Sequence, residues 1–357
     1  MPNKTLVFTG GGSAGHVTPN LALISRLSEE GWNIHYIGSA DGIEKGIVTE
    51  QGIPFHPISS GKLRRYFDLK NFKDPFKVLK GVGDAYRVLR KLKPKAIFSK
   101  GGFVAVPVVL AARLARIPVI IHESDMTPGL ANRISSRFAD KICATFPETM
   151  KSLPAGKSVL TGLPIRKELD TGSAEKGRKA CGFSSTKPVL LVMGGSLGSK
   201  TINDAVRGQL KELLNKFQIL HLCGKGHLDK SAEGIPGYKQ LEYASSDLPD
   251  LLAMADMVIS RAGSTSLFEF LHLKLPMLLI PLSQQVSRGD QILNAKSFTE
   301  QGFAETLQEE ELTEESFRSN LNKVWDNRYR YKAAMETFSG QQAVETIAEL
   351  IHQAAKA

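Results

Sequence analysis

Three cysteines in 357 residues are few, and they stand far apart, at Cys143, Cys181 and Cys223. No CxxC pair or Cys/His cluster joins them. That excludes a disulfide framework and a cysteine-based zinc site, and it fits reduced thiols in a cytosolic protein. Long apolar runs are missing as well. Thr5–Thr9 is too short for a signal-peptide core or a membrane span. Val104–Ala112 contains Pro107, ends at Arg113 and reads as the start of a buried helix. We therefore expect a chain made and kept in the cytoplasm. An apolar content of 42% is too high for a disordered chain. The length predicts about two domains.

Acidic residues are scarce in one place. Between Lys62 and Lys95 stand twelve basic side chains and three acidic ones, which is most of the net charge of +10. Leu63, Tyr66, Phe67, Leu69, Phe72, Phe76, Val78 and Leu79 are interleaved with them. Basic residues alternating with large apolar ones suit an anionic lipid surface. They are also compatible with nucleic acid, or with a solvated helix whose apolar side is core.

Short apolar runs alternate with amphipathic segments along the chain. Strands are predicted at Thr5–Thr9, Asn33–Ile37, Ala96–Ser99, Val119–His122, Lys141–Ala144 and Ser158–Leu160. A second series runs through Val189–Met193, Gln218–Cys223, Lys239–Glu242, Met257–Ser260 and Met277–Ile280. Amphipathic segments include Asn20–Glu30, Asn203–Phe217 and Ser266–Leu273. This alternation predicts α/β architecture with parallel sheets covered by helices. The pattern restarts: TLVFTGGGSAGHVTPN (Thr5–Asn20) is echoed by LLVMGGSLGSKTIND (Leu190–Asp204). Two nucleotide-fold halves in tandem fit, with a junction near Gly162–Pro164. We expect domains at 1–163 and 164–340, with a last helix, 341–357, packing back on the first.

Each half carries glycine turns after strands. Gly10, Gly12 and Gly15 satisfy G-x-G-x-x-G, which alone does not establish a dinucleotide site. The ribose-binding acid expected after the next strand is missing, since Asp41 and Glu44 come late, and His16 would crowd a pyrophosphate. A histidine at a helix start is disfavoured as a cation and can accept a proton near neutral pH. GGGSAGH therefore reads as an acceptor pocket containing a base, with a capping or packing histidine as the alternative. VIIHESDMTPGLANR (Val119–Arg133) delivers His122, Glu123 and Asp125 to one loop at a strand's carboxyl end, the ligand side of an open α/β sheet. In the second half, MGGSLGS offers backbone N–H groups and Ser196 to a phosphate. SRAGSTSLFE repeats the arrangement with Gly263, Ser264 and Thr265 at a helix start, and Glu269 suits ribose hydroxyls. Asp290 and Gln291, in a polar loop, suit sugar hydroxyls.

GGGSAGHVTPNLA, GGFVAVP, HESDMTPGLANR, TGLPIR, MGGSLGSKTIN, SRAGSTSLFE and GDQILNA, in this order, resemble the MurG family. That family transfers N-acetylglucosamine (GlcNAc) from UDP-GlcNAc to undecaprenyl-pyrophosphoryl-MurNAc-pentapeptide (lipid I), giving lipid II for peptidoglycan synthesis. The resemblance implies a GT-B fold, two Rossmann-like domains whose parallel sheets face a deep cleft. It implies inverting chemistry, in which the MurNAc C4 hydroxyl attacks the anomeric carbon and UDP leaves. The first half would take the acceptor and the second the donor. Related readings of the same fold are a transferase with another lipid acceptor, a UDP-GlcNAc 2-epimerase, and a non-catalytic sugar-nucleotide-binding protein.

Carried over by motif, His16 matches the proposed acceptor-side base, and Glu123 and Asp125 complete the catalytic candidates. This chain has Asp125 where the family often has Asn, so it stands beside His16 as a second candidate base. Gly12, Ser13, Ala14, Gly15, Gly102, Phe103, His122 and Asn132 fall in the implied acceptor pocket. Phe103 replaces a frequent Tyr. Arg166 and Ser196 match donor-phosphate positions, as Gly263, Ser264 and Thr265 do by their turn. Ala244 falls near the uracil, Glu269 matches the ribose glutamate, and Gln291 a donor-sugar glutamine. Asp290 stands in place of a second Gln. No DxD-type motif lies beside the donor turns, so neither metal ligand nor cofactor is expected. The implied partners are UDP-GlcNAc, lipid I, the anionic cytoplasmic face of the cell membrane and other wall-synthesis or division proteins, and no nucleic acid. The Lys62–Lys80 segment would serve as a peripheral, salt-sensitive membrane attachment.

Overall fold

A computed structural model describes residues 4–61, 74–195, 197–244, 246–338 and 342–356. Ser196 and the Lys62–Lys73 part of the basic segment lie outside the described residues. The chain forms two compact units: one reaches Arg166 and takes in the C-terminal helix Ala343–Lys356, and the other begins at Lys167. Pro164–Arg166 thus groups with the first unit.

The first unit contains β1 (Thr5–Thr9), β2 (Asn33–Ser39), β3 (Phe55–Ile58), β4 (Ala96–Ser99), β5 (Val119–Glu123), β6 (Lys141–Ala144) and β7 (Ser158–Leu160). They pair in parallel in the order β3-β2-β1-β4-β5-β6-β7. Leu6 and Phe8 point to one face of the sheet and Val7 to the other, as period-2 alternation requires. Both faces are covered by helices, so the strand reads as a continuous apolar run. The second unit contains β8 (Val189–Met193), β9 (Gln218–Leu222), β10 (Tyr238–Leu241), β11 (Met257–Ser260), β12 (Met277–Leu279) and β13 (Ala304–Thr306), in the order β10-β9-β8-β11-β12-β13. Each sheet reverses its direction of growth beside its first strand, between β1 and β4 and between β8 and β11. Such a reversal opens a crevice at the strands' carboxyl ends, where open α/β sheets bind ligands.

Two strands depart from the sequence expectation. β3 (FHPI) and β13 (AET) are short edge strands without an apolar run, and Pro57 is tolerated because an edge strand has one ladder to satisfy. The expected single helix over Asn203–Phe217 is two, Lys200–Gly208 and Leu210–Lys216, divided at Gly208–Gln209. The C-terminal helix lays Ile347, Ala348 and Ile351 into the core beneath β1, with Leu23, Leu27 and Trp32. Arg26 clasps Glu345 with two hydrogen bonds, of 2.8 and 3.1 Å, and His352 meets Glu30 at 2.7 Å. The burial matters more than these exposed ion pairs. Ile351→Ala should lower the stability of the first unit by about 2–5 kcal/mol in chemical denaturation, whereas Glu345→Ala should change it by about 1 kcal/mol or less.

Candidate functional site

In the first unit the turns after β1 and β4 touch backbone to backbone. A Cβ on Gly102 would lie 2.2 Å from the Gly11 carbonyl oxygen, and the Gly11 N–H donates to the Gly101 carbonyl at 3.3 Å. No residue with a side chain fits there, and Gly102 has φ of +84°. Glu44, fully buried, holds the other side of the turn. Its carboxylate accepts from the Gly12 N–H at 3.2 Å and from the Ser39 N–H at 2.9 Å, and a Cβ on Gly11 would collide with it. The acid that comes too late for a ribose is thus a brace for the glycine turn. Asn20 and Tyr36 close the underside: Tyr36 donates to the Gly10 carbonyl at 2.7 Å, and Asn20 donates to Tyr36 at 3.0 Å.

His16 ends a single 3-10 turn, Ala14–His16, ahead of the helix Thr18–Glu29. Its Nδ1 lies 2.9 Å from the Gly11 carbonyl oxygen. A carbonyl only accepts, so Nδ1 carries the proton and the imidazole's basic lone pair is on Nε2. Ser13 lies beside it, its hydroxyl 3.3 Å from Nδ1.

The loop after β5 is organised by Glu123, only 4% exposed. Its carboxylate accepts from the Asp125 N–H at 3.0 Å, the Gly129 N–H at 3.1 Å and Asn132 Nδ2 at 2.9 Å. Burial, and next the Asp125 charge, raise its pKa, against these hydrogen bonds. All of this makes Glu123 a loop-shaping carboxylate. Asn132 also donates to the His122 carbonyl at 3.1 Å. His122 is fully buried, its Nε2 donating to the Gly162 carbonyl at 2.9 Å, and burial holds it neutral well below its ordinary pKa. His122 and Asn132 therefore support the loop from beneath. Asp125, Gly102 and Phe103 are half-buried above it. The structure brings the Gly10–His16 turn, the Gly101–Phe103 turn and the Glu123–Gly129 loop together at the carboxyl ends of β1, β4 and β5.

The second unit repeats the device. A Cβ on Gly198 would lie 2.1 Å from the Cys223 carbonyl oxygen, so the turn after β8 packs on the turn after β9. Ser199 caps the helix Lys200–Gly208, accepting from the Ile202 N–H at 3.3 Å. Beside it, Gly263 caps the helix Ser264–His272, which begins with Ser264 and Thr265 and carries the buried Glu269 in its second turn. Gln291 ties the region together. Its Oε1 accepts from the Leu282 N–H at 3.0 Å and the Ala262 N–H at 3.4 Å. Asp290 opens the helix Asp290–Glu300 and pairs with Arg288 at 3.3 Å. Ala244 lies past the end of the edge strand β10, and Arg166 closes the first unit.

Arg261 was absent from the sequence reading. It is buried, donates to Ser199 at 2.8 Å, to Glu309 at 2.6 Å and to the carbonyls of Ile280 and Pro281 at 3.1 Å. Glu309 in turn accepts from the Ser283 N–H at 3.2 Å, so one guanidinium fixes the turn after β8 and the loop after β12 together. Its signal was an arginine at the end of a buried strand, inside a motif otherwise read for its glycine.

Comparison with known proteins follows this layout. The N-terminal domain of glycosyltransferase family 28 matches residues 6–144, and its C-terminal domain matches residues 189–351. A Bacillus cereus protein named UDP-N-acetylglucosamine--N-acetylmuramyl-(pentapeptide) pyrophosphoryl-undecaprenol N-acetylglucosamine transferase 2 is 58% identical, over 98% of this chain and 100% of its own. The crystal structure of Acinetobacter baumannii MurG is 28% identical with a TM-score of 0.77, over 99% of this chain and 100% of its own. A UDP-GlcNAc 2-epimerase from Neisseria meningitidis, 14% identical with a TM-score of 0.68 over 98% of this chain and 99% of its own, shares the fold alone.

The turn after β9 rests on a buried network: His221 lies 2.8 Å from the Tyr238 hydroxyl and 2.9 Å from Asn203 Oδ1. Burial, and next the Arg207 charge, push His221 down to about 3. Unfolded, the imidazole titrates near 6.5, so the unfolded chain binds the extra proton between these values. This contribution is complete above about pH 6.5 and is lost progressively as pH falls toward about 3. His221→Gln should flatten that part of the stability-versus-pH curve measured by denaturation, even if it lowers stability at pH 7.

Proposed function

The chain belongs to glycosyltransferase family 28, and from that premise we propose how its residues carry the reaction. It is a UDP-GlcNAc-dependent transferase that passes GlcNAc to lipid I and forms lipid II. In our reading the acceptor lies over the Gly10–His16 turn and the β5 loop. His16 takes the proton of the MurNAc C4 hydroxyl as that oxygen attacks the anomeric carbon. The bond to UDP breaks as the new glycosidic bond forms, with inversion.

The observation that carries this reading is the bond from His16 to the Gly11 carbonyl, which leaves the basic nitrogen at the ring's other edge. Asp125 acts on acceptor hydroxyls, and Glu123 sets the loop's shape through its three accepted hydrogen bonds. On the donor side, the helix start Gly263–Thr265 offers N–H groups to the diphosphate and stabilises the charge that grows on UDP. Ser196 adds to that grip, Glu269 and Ala244 hold ribose and uracil, and Asp290 and Gln291 hold the sugar.

Purified protein with UDP-GlcNAc and a soluble lipid I analogue tests this by UDP release and sugar transfer. Transfer should require the analogue. His16→Ala should lower kcat by about 100-fold or more with the KM for UDP-GlcNAc little changed. UDP-GlcNAc turnover without acceptor would replace this reading with the epimerase.

We also propose peripheral attachment to the anionic cytoplasmic membrane face. No helix among the described residues is long and apolar enough to cross a membrane. The helix Asp74–Leu92 buries Ala85 and Leu89 in the core, yet Phe76 is 74% and Leu79 67% exposed, beside exposed Lys77 and Lys80. This end combines apolar insertion with positive charge. At about 1 kcal/mol per basic residue, Lys77→Gln with Lys80→Gln should weaken binding to anionic vesicles roughly tenfold or more at low salt. Unchanged binding in a sedimentation assay would remove this helix from the attachment.

A further inference from the structure

Lys100 is the least expected charge in the protein. It follows β4 directly, in FSKGGF, and is 1% exposed. Its backbone N–H continues the ladder to the Thr9 carbonyl at 2.9 Å, and its Cβ lies against Gly10, 3.1 Å from where a Cβ on that glycine would stand. Its Nζ donates to the hydroxyl of Ser124, itself buried. One side chain therefore spans from the base of the His16 turn to the loop that follows β5. A buried ammonium is costly unless its surroundings compensate it. Glu123 and Asp125, on either side of Ser124, supply the compensating charge, and the buried Cys143 faces it from β6. His122 faces it from β5 and is kept neutral partly by it. The rest of β4 is uncharged: Ile97 and Phe98 are core residues and Ser99 is buried.

We propose that Lys100 is a positioning residue for sugar transfer. Through Ser124 it fixes the Glu123–Gly129 loop against the His16 turn, where the acceptor binds. This rests on the acceptor reading given above. Asp125 then meets the acceptor in register with His16. Burial, opposed by Glu123 and Asp125, brings the lysine down to about 8. The ammonium is then the dominant form at pH 7 and is lost just above it, so transfer should decline on the alkaline side with a midpoint near that value.

The test is the pH profile of kcat for GlcNAc transfer to a soluble lipid I analogue, in the full chain and in Lys100→Met, Lys100→Arg and Ser124→Ala. Affinity for UDP-GlcNAc, measured by calorimetry, serves as the control for an intact second unit. Lys100→Met should lower kcat by about tenfold or more at pH 7 and abolish the alkaline limb, with donor affinity unchanged. Lys100→Arg should retain more activity and move the limb upward, because a guanidinium stays charged. Ser124→Ala, which removes only the hydroxyl that accepts from the ammonium, should move the limb to lower pH. Hydrogen–deuterium exchange gives a readout that needs no turnover: residues 124–129 should exchange faster in Lys100→Met, and the second unit should not. A Lys100→Met enzyme with wild-type kcat and wild-type alkaline limb would overturn the proposal, and so would a Ser124→Ala limb that does not move or an unchanged exchange pattern. Absence of transfer by the unmodified protein at every pH would instead overturn the acceptor reading, with the exchange result still deciding whether Lys100 holds the loop.

Discussion

Both units depend on two stretches of backbone approaching more closely than any side chain permits. Gly102 meets Gly11 in the first unit, and Gly198 meets Cys223 and Gly224 in the second. These contacts pull the turns after neighbouring strands into one surface at the carboxyl ends of each sheet. With the contact made by backbone, the surface can be lined by polar groups delivered from flanking positions: His16 and Asp125 in one unit, Thr265 and Gln291 in the other. A turn stripped of side chains is also weakly held by packing. Each is accordingly braced by a buried charged residue, Glu44 beneath the first and Arg261 beside the second. The braces are part of each turn's construction.

The two units treat buried charge differently. Arg261 meets a carboxylate, a hydroxyl and two carbonyls, so its guanidinium is satisfied on several sides and serves as a fixed strut. Lys100 meets one hydroxyl and a pair of nearby carboxylates, a softer arrangement whose balance depends on pH. The two units thus differ in their buried supports, a rigid guanidinium in one and a titratable ammonium in the other.

Much of this was legible in the sequence because the physics involved is local. A five-residue apolar strand followed by glycines, as in TLVFTGGG or LLVMGG, admits few structures, and the parallel sheets followed from the alternation of such strands with helices. The strands β3 and β13 were not legible, since FHPI is broken by a proline and AET carries no apolar run. For His122 and Asn132 the structure adds a supporting role that the sequence did not display. Sequence puts them in the right loop, but only burial shows that they hold it from below. Lys100 and Arg261 escaped notice because a charged residue is ordinarily read as surface, and their partners lie on other elements; Glu44 was weighed only as a ribose ligand, not as a brace.

The central claim is that the two glycine surfaces take different ligands, the second the sugar nucleotide and the first the acceptor. Hydrogen–deuterium exchange of the full chain with UDP-GlcNAc alone tests it most directly. The account predicts slower exchange at residues 197–199, 261–265 and 289–292, with the Gly10–His16 turn unchanged until an acceptor analogue is added. Protection of the Gly10–His16 turn by UDP-GlcNAc alone, with the second unit unaffected, would contradict it.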